Sequence, residues 1–312
     1  MNILITGGAG FIGSHVVETL QAEHDLVVID DLNNYYDPQY KLANLKLYPN
    51  VPFYQIDICN KNKLETVFKE HQFDCIVHLA ARAGIRPSLL QPKLYEDVNV
   101  VGTKNLAELA VRYGISQLVF GSSSSVYGDN PNRPYVETDT TGQPISPYAT
   151  TKLTAEQLLK QFADKEKLKV TCLRFFTVYG ERGRPDMAPY LFTEAILKHQ
   201  PIKKFGDGSS SRDYTYVNDI VQGIVAAIKN PFNYELINLG NNKSVTLNEF
   251  IETIAQLSGE QAIIEQAPEQ TGDVKHTCAN ISKAQKLLNY QPQTSFTEGM
   301  QNFITWFRKY RL

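Results

Sequence analysis

The sequence predicts an α/β fold, a doubly wound parallel sheet followed by a smaller C-terminal α/β lobe. Three observations carry that expectation. Short apolar runs alternate with longer amphipathic segments over the first 180 residues, the order that builds a parallel sheet with helices on both faces. The runs are rich in Val and Ile, and too continuous for a sheet wetted on one side. A glycine-rich turn, Gly7-Gly8-Ala9-Gly10-Phe11-Ile12-Gly13, joins the first run to the first amphipathic segment.

In chain order the expected strands are Asn2–Thr6 and residues 26–30, 51–56, 75–79, 117–121 and 170–175. Amphipathic patterns predict helices over residues 12–23, Lys61–Glu70, 95–113 and 148–166. After Gly180 the texture changes. Arg182-Gly183-Arg184-Pro185-Asp186 reads as a polar loop, a helix is expected over residues 189–198, and an aromatic-rich helix over 295–310 closes the chain. The sequence therefore divides into residues 1–180, a Rossmann-type nucleotide-binding domain, and residues 181–312, a substrate-binding lobe, with the chain returning to the first near 213–240.

Composition narrows the function. The 312 residues carry 31 Lys and Arg against 33 Asp and Glu, a formal net charge of -2, so no excess positive field exists to hold nucleic acid. No apolar run reaches the ~18 residues of a membrane span, and residues 2–6 already read as a strand rather than a secretion signal. Cys59, Cys75, Cys172 and Cys278 are scattered, and read as small buried hydrophobes in a reducing compartment. The expectation is a cytoplasmic protein. His15, His71, His78, His199 and His276 show no ligand spacing, so no metal is expected, and His78 at a strand end reads as a core residue.

The glycine turn stands at a strand–helix junction. There Gly7, Gly10 and Gly13 permit the tight turn, close approach of a pyrophosphate, and close helix–strand packing, with Phe11 and Ile12 opening the helix. The anion would meet free amides at the positive helix end. Asp30 ends the second strand about 20 residues on, placed to accept from both adenosine ribose hydroxyls. Its charge repels a 2′-phosphate, and residues 31–36 hold no arginine to receive one, so NAD rather than NADP is the expected cofactor. Asn33 joins the expected cofactor-binding set.

A second constellation carries chemistry. Tyr148 and Lys152 lie four apart on an expected helix and share a face. An ammonium beside a phenol favours phenolate and lowers a tyrosine pKa from about 10. Such a tyrosine removes a hydroxyl proton while hydride leaves the same carbon for NAD. The serine loop Ser122-Ser123-Ser124-Ser125 supplies a hydroxyl for the same oxygen.

These motifs together resemble the extended short-chain dehydrogenase/reductase family. The resemblance rests on the Gly7-x-x-Gly10-x-x-Gly13 spacing, on Asp57-Ile58 as an adenine-contacting pair, and on Leu79-Ala80-Ala81 as a cofactor-lining turn. Asn99 fits the family's helix asparagine, and Tyr148-x-x-x-Lys152 follows Ser123 at the family's distance. It implies an NAD enzyme acting on a nucleotide sugar, with Tyr148, Lys152 and Ser123 catalytic. Family dehydratases carry Asp-Glu at the two positions before Val126, and family decarboxylases a Glu at the second. Here those are Ser124 and Ser125, which leaves reversible oxidation at C4, an epimerisation.

The stretch from Arg174 to Ala188 looks like the UDP-glucuronate 4-epimerase subgroup, with Thr177 where other 4-epimerases commonly have Asn. The resemblance implies that Ser124, Ser125 and Thr177 meet the sugar carboxylate, and that Arg184, Arg212 and Asp273 meet the UDP portion, with Arg86 at the diphosphate or sugar. Gln270 stands where the family often has a phosphate-binding arginine, and the small Thr277 keeps UDP-N-acetylglucosamine open as a substrate, alongside UDP-glucose. A homodimer through the helices near 95–113 and 148–166 is also implied. The reading from another class is an NAD-sensing regulator on the same fold, which typically lacks the Tyr/Lys pair.

Overall fold

A computed structural model describes residues 1–139, 144–268 and 274–312. The chain opens with β1 (Asn2–Thr6), α1 (Phe11–Leu20), β2 (Asp25–Asp30), α2 (Pro38–Leu45), β3 (Phe53–Gln55), α3 (Lys61–Glu70) and β4 (Cys75–His78). Short helices α4 (Ile85–Leu90) and α5 (Pro92–Glu96) lead through a π-helical segment, Asp97–Gly102, into α6 (Thr103–Arg112). Then come β5 (Gln117–Ser123), a 3₁₀ turn at Ser124–Tyr127, α7 (Pro147–Glu166), β6 (Lys169–Phe175), β7 (Thr177–Tyr179) and α8 (Ala188–Leu197). The last third holds β8 (Pro201–Phe205), β9 (Ser211–Tyr216), α9 (Val217–Lys229), β10 (Tyr234–Leu239), β11 (Ser244–Thr246), α10 (Leu247–Ser258), β12 (Ile263–Ala267), α11 (Ser282–Leu288) and α12 (Phe296–Tyr310).

Seven strands form one sheet in the order β10-β6-β5-β4-β1-β2-β3, parallel throughout. Its winding reverses between β1 and β4, and that switch point is where an open α/β sheet leaves a crevice beyond its carboxyl ends. Alternation along the strands explains the two-sided burial. Ile3, Ile5, Val28 and Val77 belong to one hydrophobic layer, Leu4, Ile29, Ile76 and Leu118 to the other. Each such side chain contributes about 1.5–3 kcal/mol by leaving water.

The return of the chain takes the form β9, α9 and β10, with β10 pairing β6 at the sheet edge. Beyond the main sheet, β11, β9 and β7 form a three-stranded sheet and β12 pairs β8. The expected continuous helix over 95–113 is instead three segments. The π-helical turn at Asp97–Gly102 interrupts it, a conformation that hydrophobic periodicity does not report. The edge strand expected over 51–56 shortens to Phe53–Gln55.

Candidate active site

Three of the four glycines in the turn, Gly7, Gly10 and Gly13, are there for three separate reasons. Gly7 has φ +73°, its amide donates to Ile29 O at 2.7 Å, and a Cβ there would meet Ala80 N at 2.6 Å. A Cβ on Gly13 would run into the Gly7 carbonyl, so β1 and α1 could not stay this close. Gly10 caps α1 with no side-chain bond of its own, leaving first-turn amides free for an anion. A cavity of about 560 Å³ opens over this turn. Its walls include Gly7, Gly10, Phe11, Ile12, Gly13, Asp30, Asn33, Asp57, Ile58, Leu79, Ala80 and Ala81. This bare-backbone cradle, with a carboxylate at the β2 end, fits a dinucleotide.

At that β2 end Asp30 is buried, and its Oδ1 accepts from Leu32 N at 3.0 Å. Burial pushes its carboxyl above the ordinary value, while Lys41 and the Leu32 amide pull it back. Asn99 is the one expected cofactor residue that does not reach the cavity wall. It lies behind, with Oδ1 accepting from Arg82 N at 2.8 Å and Nδ2 donating to Arg82 O at 2.9 Å and to Thr151 Oγ1 at 3.0 Å. It therefore ties the loop after β4 to α7, and the π-helical turn is what aims it there.

Tyr148 and Lys152 face the cavity from the first two turns of α7, with Ser123 opposite at the end of β5. Ser146 caps α7 by accepting from Ala149 N at 3.2 Å, and Pro147 opens it, which fixes where Tyr148 emerges. Tyr95 packs edge-on against the phenol ring, centroids 6.2 Å apart. Burial pushes the Tyr148 phenol up, and a hydrogen bond with Ser123 and the Arg184 charge pull it down.

Here the structure differs from the expectation that Lys152 lowers Tyr148. The Lys152 ammonium is turned onto Gly121 O at 2.7 Å, and sits 4.7 Å from the Phe120 ring centre. Its own pKa is pulled down to about 8 by burial, against the opposing charge of Glu156.

The opposite end of the cavity gathers the expected substrate residues. Ser123, Ser124, Ser125, Thr177, Arg86, Arg184 and Arg212 all line it. Ser125 Oγ donates to Ser123 Oγ at 2.9 Å. The two arginines expected together at the UDP portion have separate surroundings. Arg212 Nη1 donates to the carbonyls of Ser211 (3.0 Å) and Lys275 (3.1 Å). Arg184 is forked onto Asp186, 2.9 Å from Nε and 2.5 Å from Nη2, and lies over the Tyr35 ring, with its charge acting on Tyr148. Thr277 lines the cavity as well, while Asp273 and Gln270 lie outside the described residues.

Sequence reasoning missed Tyr35, Lys41, Arg82 and Asp186, all on the cavity wall. Asp186 had a signal, standing two residues from Arg184 in a polar loop. Lys41 had none, because its reach to Asp30 depends on how α2 folds back. His78 is fully buried between Thr6 and Thr103, as a core histidine. Cys75 and Cys172 are buried, but Cys59 and Cys278 are only half-buried, since both sit in connections rather than strands. Among the described residues no group of three His, Cys, Asp or Glu side chains could hold a metal ion.

Known proteins share this architecture across nearly the whole chain. A UDP-glucuronate 4-epimerase of Thermodesulfobacterium geofontis is 44% identical over 312 residues, covering 98% of this chain and 96% of that protein. The structure superposes with a TM-score of 0.93 on a UDP-glucuronic acid 4-epimerase from Bacillus cereus solved with UDP-glucuronic acid and NAD, at 32% identity and 99% coverage of both chains. It matches a UDP-glucose 4-epimerase from Thermotoga maritima solved with UDP-glucose at TM-score 0.94, 34% identity and 99% coverage of both. The family model described as NAD dependent epimerase/dehydratase matches residues 3–240. With its glycine cradle, its Tyr148–Lys152 pair and these relatives, the chain belongs to the NAD-dependent epimerase/dehydratase family.

Proposed function

We propose that the protein is an NAD-dependent UDP-sugar 4-epimerase, interconverting UDP-glucuronate and UDP-galacturonate through a 4-keto sugar. One observation carries the chemistry: a tyrosine, a lysine and a serine converge on a cavity floored by a dinucleotide cradle, with serines where elimination or decarboxylation needs an acid. The relatives named as glucuronate epimerases support the sugar.

Gly7, Gly10 and Gly13 hold the pyrophosphate, Asp30 the adenosine ribose, and Asp57 and Ile58 the adenine. Lys152 binds the second ribose. Bound NAD supplies the acceptor and donor of the C4 hydride. Ser123 orients O4, and Tyr148 takes the O4 proton on its phenolate oxygen and returns it after the ring has turned. Burial disfavours that phenolate and holds the phenol above its ordinary value; the Ser123 hydroxyl and the Arg184 charge work against burial, because a hydrogen-bond donor and a positive charge both stabilise the phenolate. Ser124, Ser125 and Thr177 meet the sugar carboxylate with neutral hydroxyls, which let the ketone rotate where a bidentate clamp would hold one orientation. Arg86 and Arg212 serve the nucleotide diphosphate, and Asp273 the nucleotide ribose.

A cytoplasmic homodimer belongs to the same proposal. Its support is that α4 and the π-helical turn both pack on α7 while exposing Leu89, Leu90 and Val101. Separate incubation with UDP-glucuronate, UDP-glucose and UDP-N-acetylglucosamine, followed by proton NMR, tests the substrate. Turnover of the first is expected to exceed the others, and turnover of only the others would overturn the assignment.

A further inference from the structure

Selection against NADP, read from the sequence, rests on Asp30 and on the lack of a cation at residues 31–36. The fold brings cations there from elsewhere. Lys41, one turn into α2, is nearly buried at 6% side-chain exposure, with Nζ 3.8 Å from Asp30 Oδ1. The same ammonium donates to Asn33 O at 3.1 Å. Arg82, after β4, donates Nη1 to Asn33 Oδ1 at 3.3 Å, and its Nε is buried with no hydrogen-bond partner. Both side chains line the cavity. The carboxylates at this corner are Asp30 and Asp31, and Asp31 is engaged with Asn33 at 3.0 Å and 2.5 Å. Asp30, Asp31 and Arg82 are also the charges that act on Lys41.

We infer that Lys41 is a cofactor-binding residue at the adenosine ribose, backed by Arg82, and that the Asp30 carboxylate alone excludes a 2′-phosphorylated dinucleotide. The inference rests on the dinucleotide reading of the cavity. With Asp30 charged, two carboxylates offset two cations. With Asp30 neutral, Lys41 and Arg82 face only Asp31, and an ammonium backed by a second positive charge suits phosphate. Asp30→Asn keeps the oxygen that accepts the Leu32 amide, so the loop after β2 retains its anchor.

Equilibrium titration with NAD and with NADP, read by calorimetry and by melting temperature, tests this without turnover. The wild-type protein is expected to bind NAD and to reject NADP. Asp30→Asn should gain NADP affinity by about tenfold or more, and Asp30→Asn with Lys41→Met should lose that gain, since a charge-assisted hydrogen bond is worth about that factor. Lys41→Met alone should weaken NAD severalfold. Retention of the NADP gain in the double variant, or unchanged NAD affinity in Lys41→Met, would overturn the inference. Failure of the wild-type protein to bind NAD would instead remove the dinucleotide reading itself. If Asp30→Asn does not fold, Asp30→Ser and the Lys41→Met single variant carry the same comparison.

Discussion

Glu156 stands one helical turn beyond Lys152 and is gripped by both arms of Arg174, Nε to Oε1 at 2.9 Å and Nη2 to Oε2 at 2.7 Å. Both side chains are 2% exposed. Ser122, the neighbour of Ser123, donates to Glu156 Oε1 at 2.6 Å, and the Arg174 guanidinium lies 4.8 Å from the Tyr127 ring centre. One carboxylate thus links α7, β5 and β6 directly beneath the candidate catalytic residues.

Removing one partner of such a pair leaves a buried charge without its counterpart, at a cost of about 3–5 kcal/mol. Glu156→Gln is therefore expected to lower the stability measured by urea denaturation by that amount. Replacing both partners together, Glu156→Leu with Arg174→Met, should cost less than the single change. A loss under about 1 kcal/mol for Glu156→Gln, the range of an exposed pair, would show that the burial does not matter.

Tyr148→Phe removes only the proton-carrying oxygen and keeps the ring that packs against Tyr95. Turnover should fall by about 10²–10⁴-fold or more, with NAD binding within a few-fold of wild type by calorimetry. An NAD-sensing regulator would show no turnover to lose in either form.

Much of this site was legible in the chain before folding. The turn, Asp30 and the Tyr148–Lys152 pair are local patterns, each fixed by spacing within one or two elements. The sheet strands were legible because both faces are buried and the runs are continuously apolar. What escaped were relations between distant segments. Lys41 meets Asp30 only through the α2 connection, and Arg184 acts on Tyr148 across the cavity. The π-helical turn also escaped, since its composition is that of any helix.

Acid should weaken the fold through two histidines. Burial pushes His78 down to about 3, with Lys152 adding to the shift; burial also pushes His15 down to about 3, with Arg182 adding to it. At His78 the tautomer follows from its neighbours. Thr103 gives its proton to Asn99 O at 2.6 Å, so His78 Nε2 donates to Thr103 at 2.9 Å and Nδ1 accepts from Thr6 at 2.8 Å. Protonated Nδ1 can no longer accept, so the Thr6 hydroxyl must turn its proton away, and the added charge is buried.

The unfolded chain takes up these protons near pH 6.5 and the folded chain does not, so stability is full above that value and falls as pH drops. The expected slope is on the order of 1 kcal/mol per pH unit for each histidine once pH is well below 6.5. Urea midpoints at pH 7, 6 and 5 measure it. An unchanged slope in His78→Asn would contradict the assignment of half the effect to His78.

The central claim, inversion at C4 by hydride transfer with Tyr148 moving only the O4 proton, is tested most directly in heavy water. UDP-glucuronate incubated with the protein and NAD in D₂O should yield UDP-galacturonate that keeps protium at C4 by proton NMR, because a hydride does not exchange with solvent. Absence of the C4 epimer, or deuterium at C4 of the product, would contradict it.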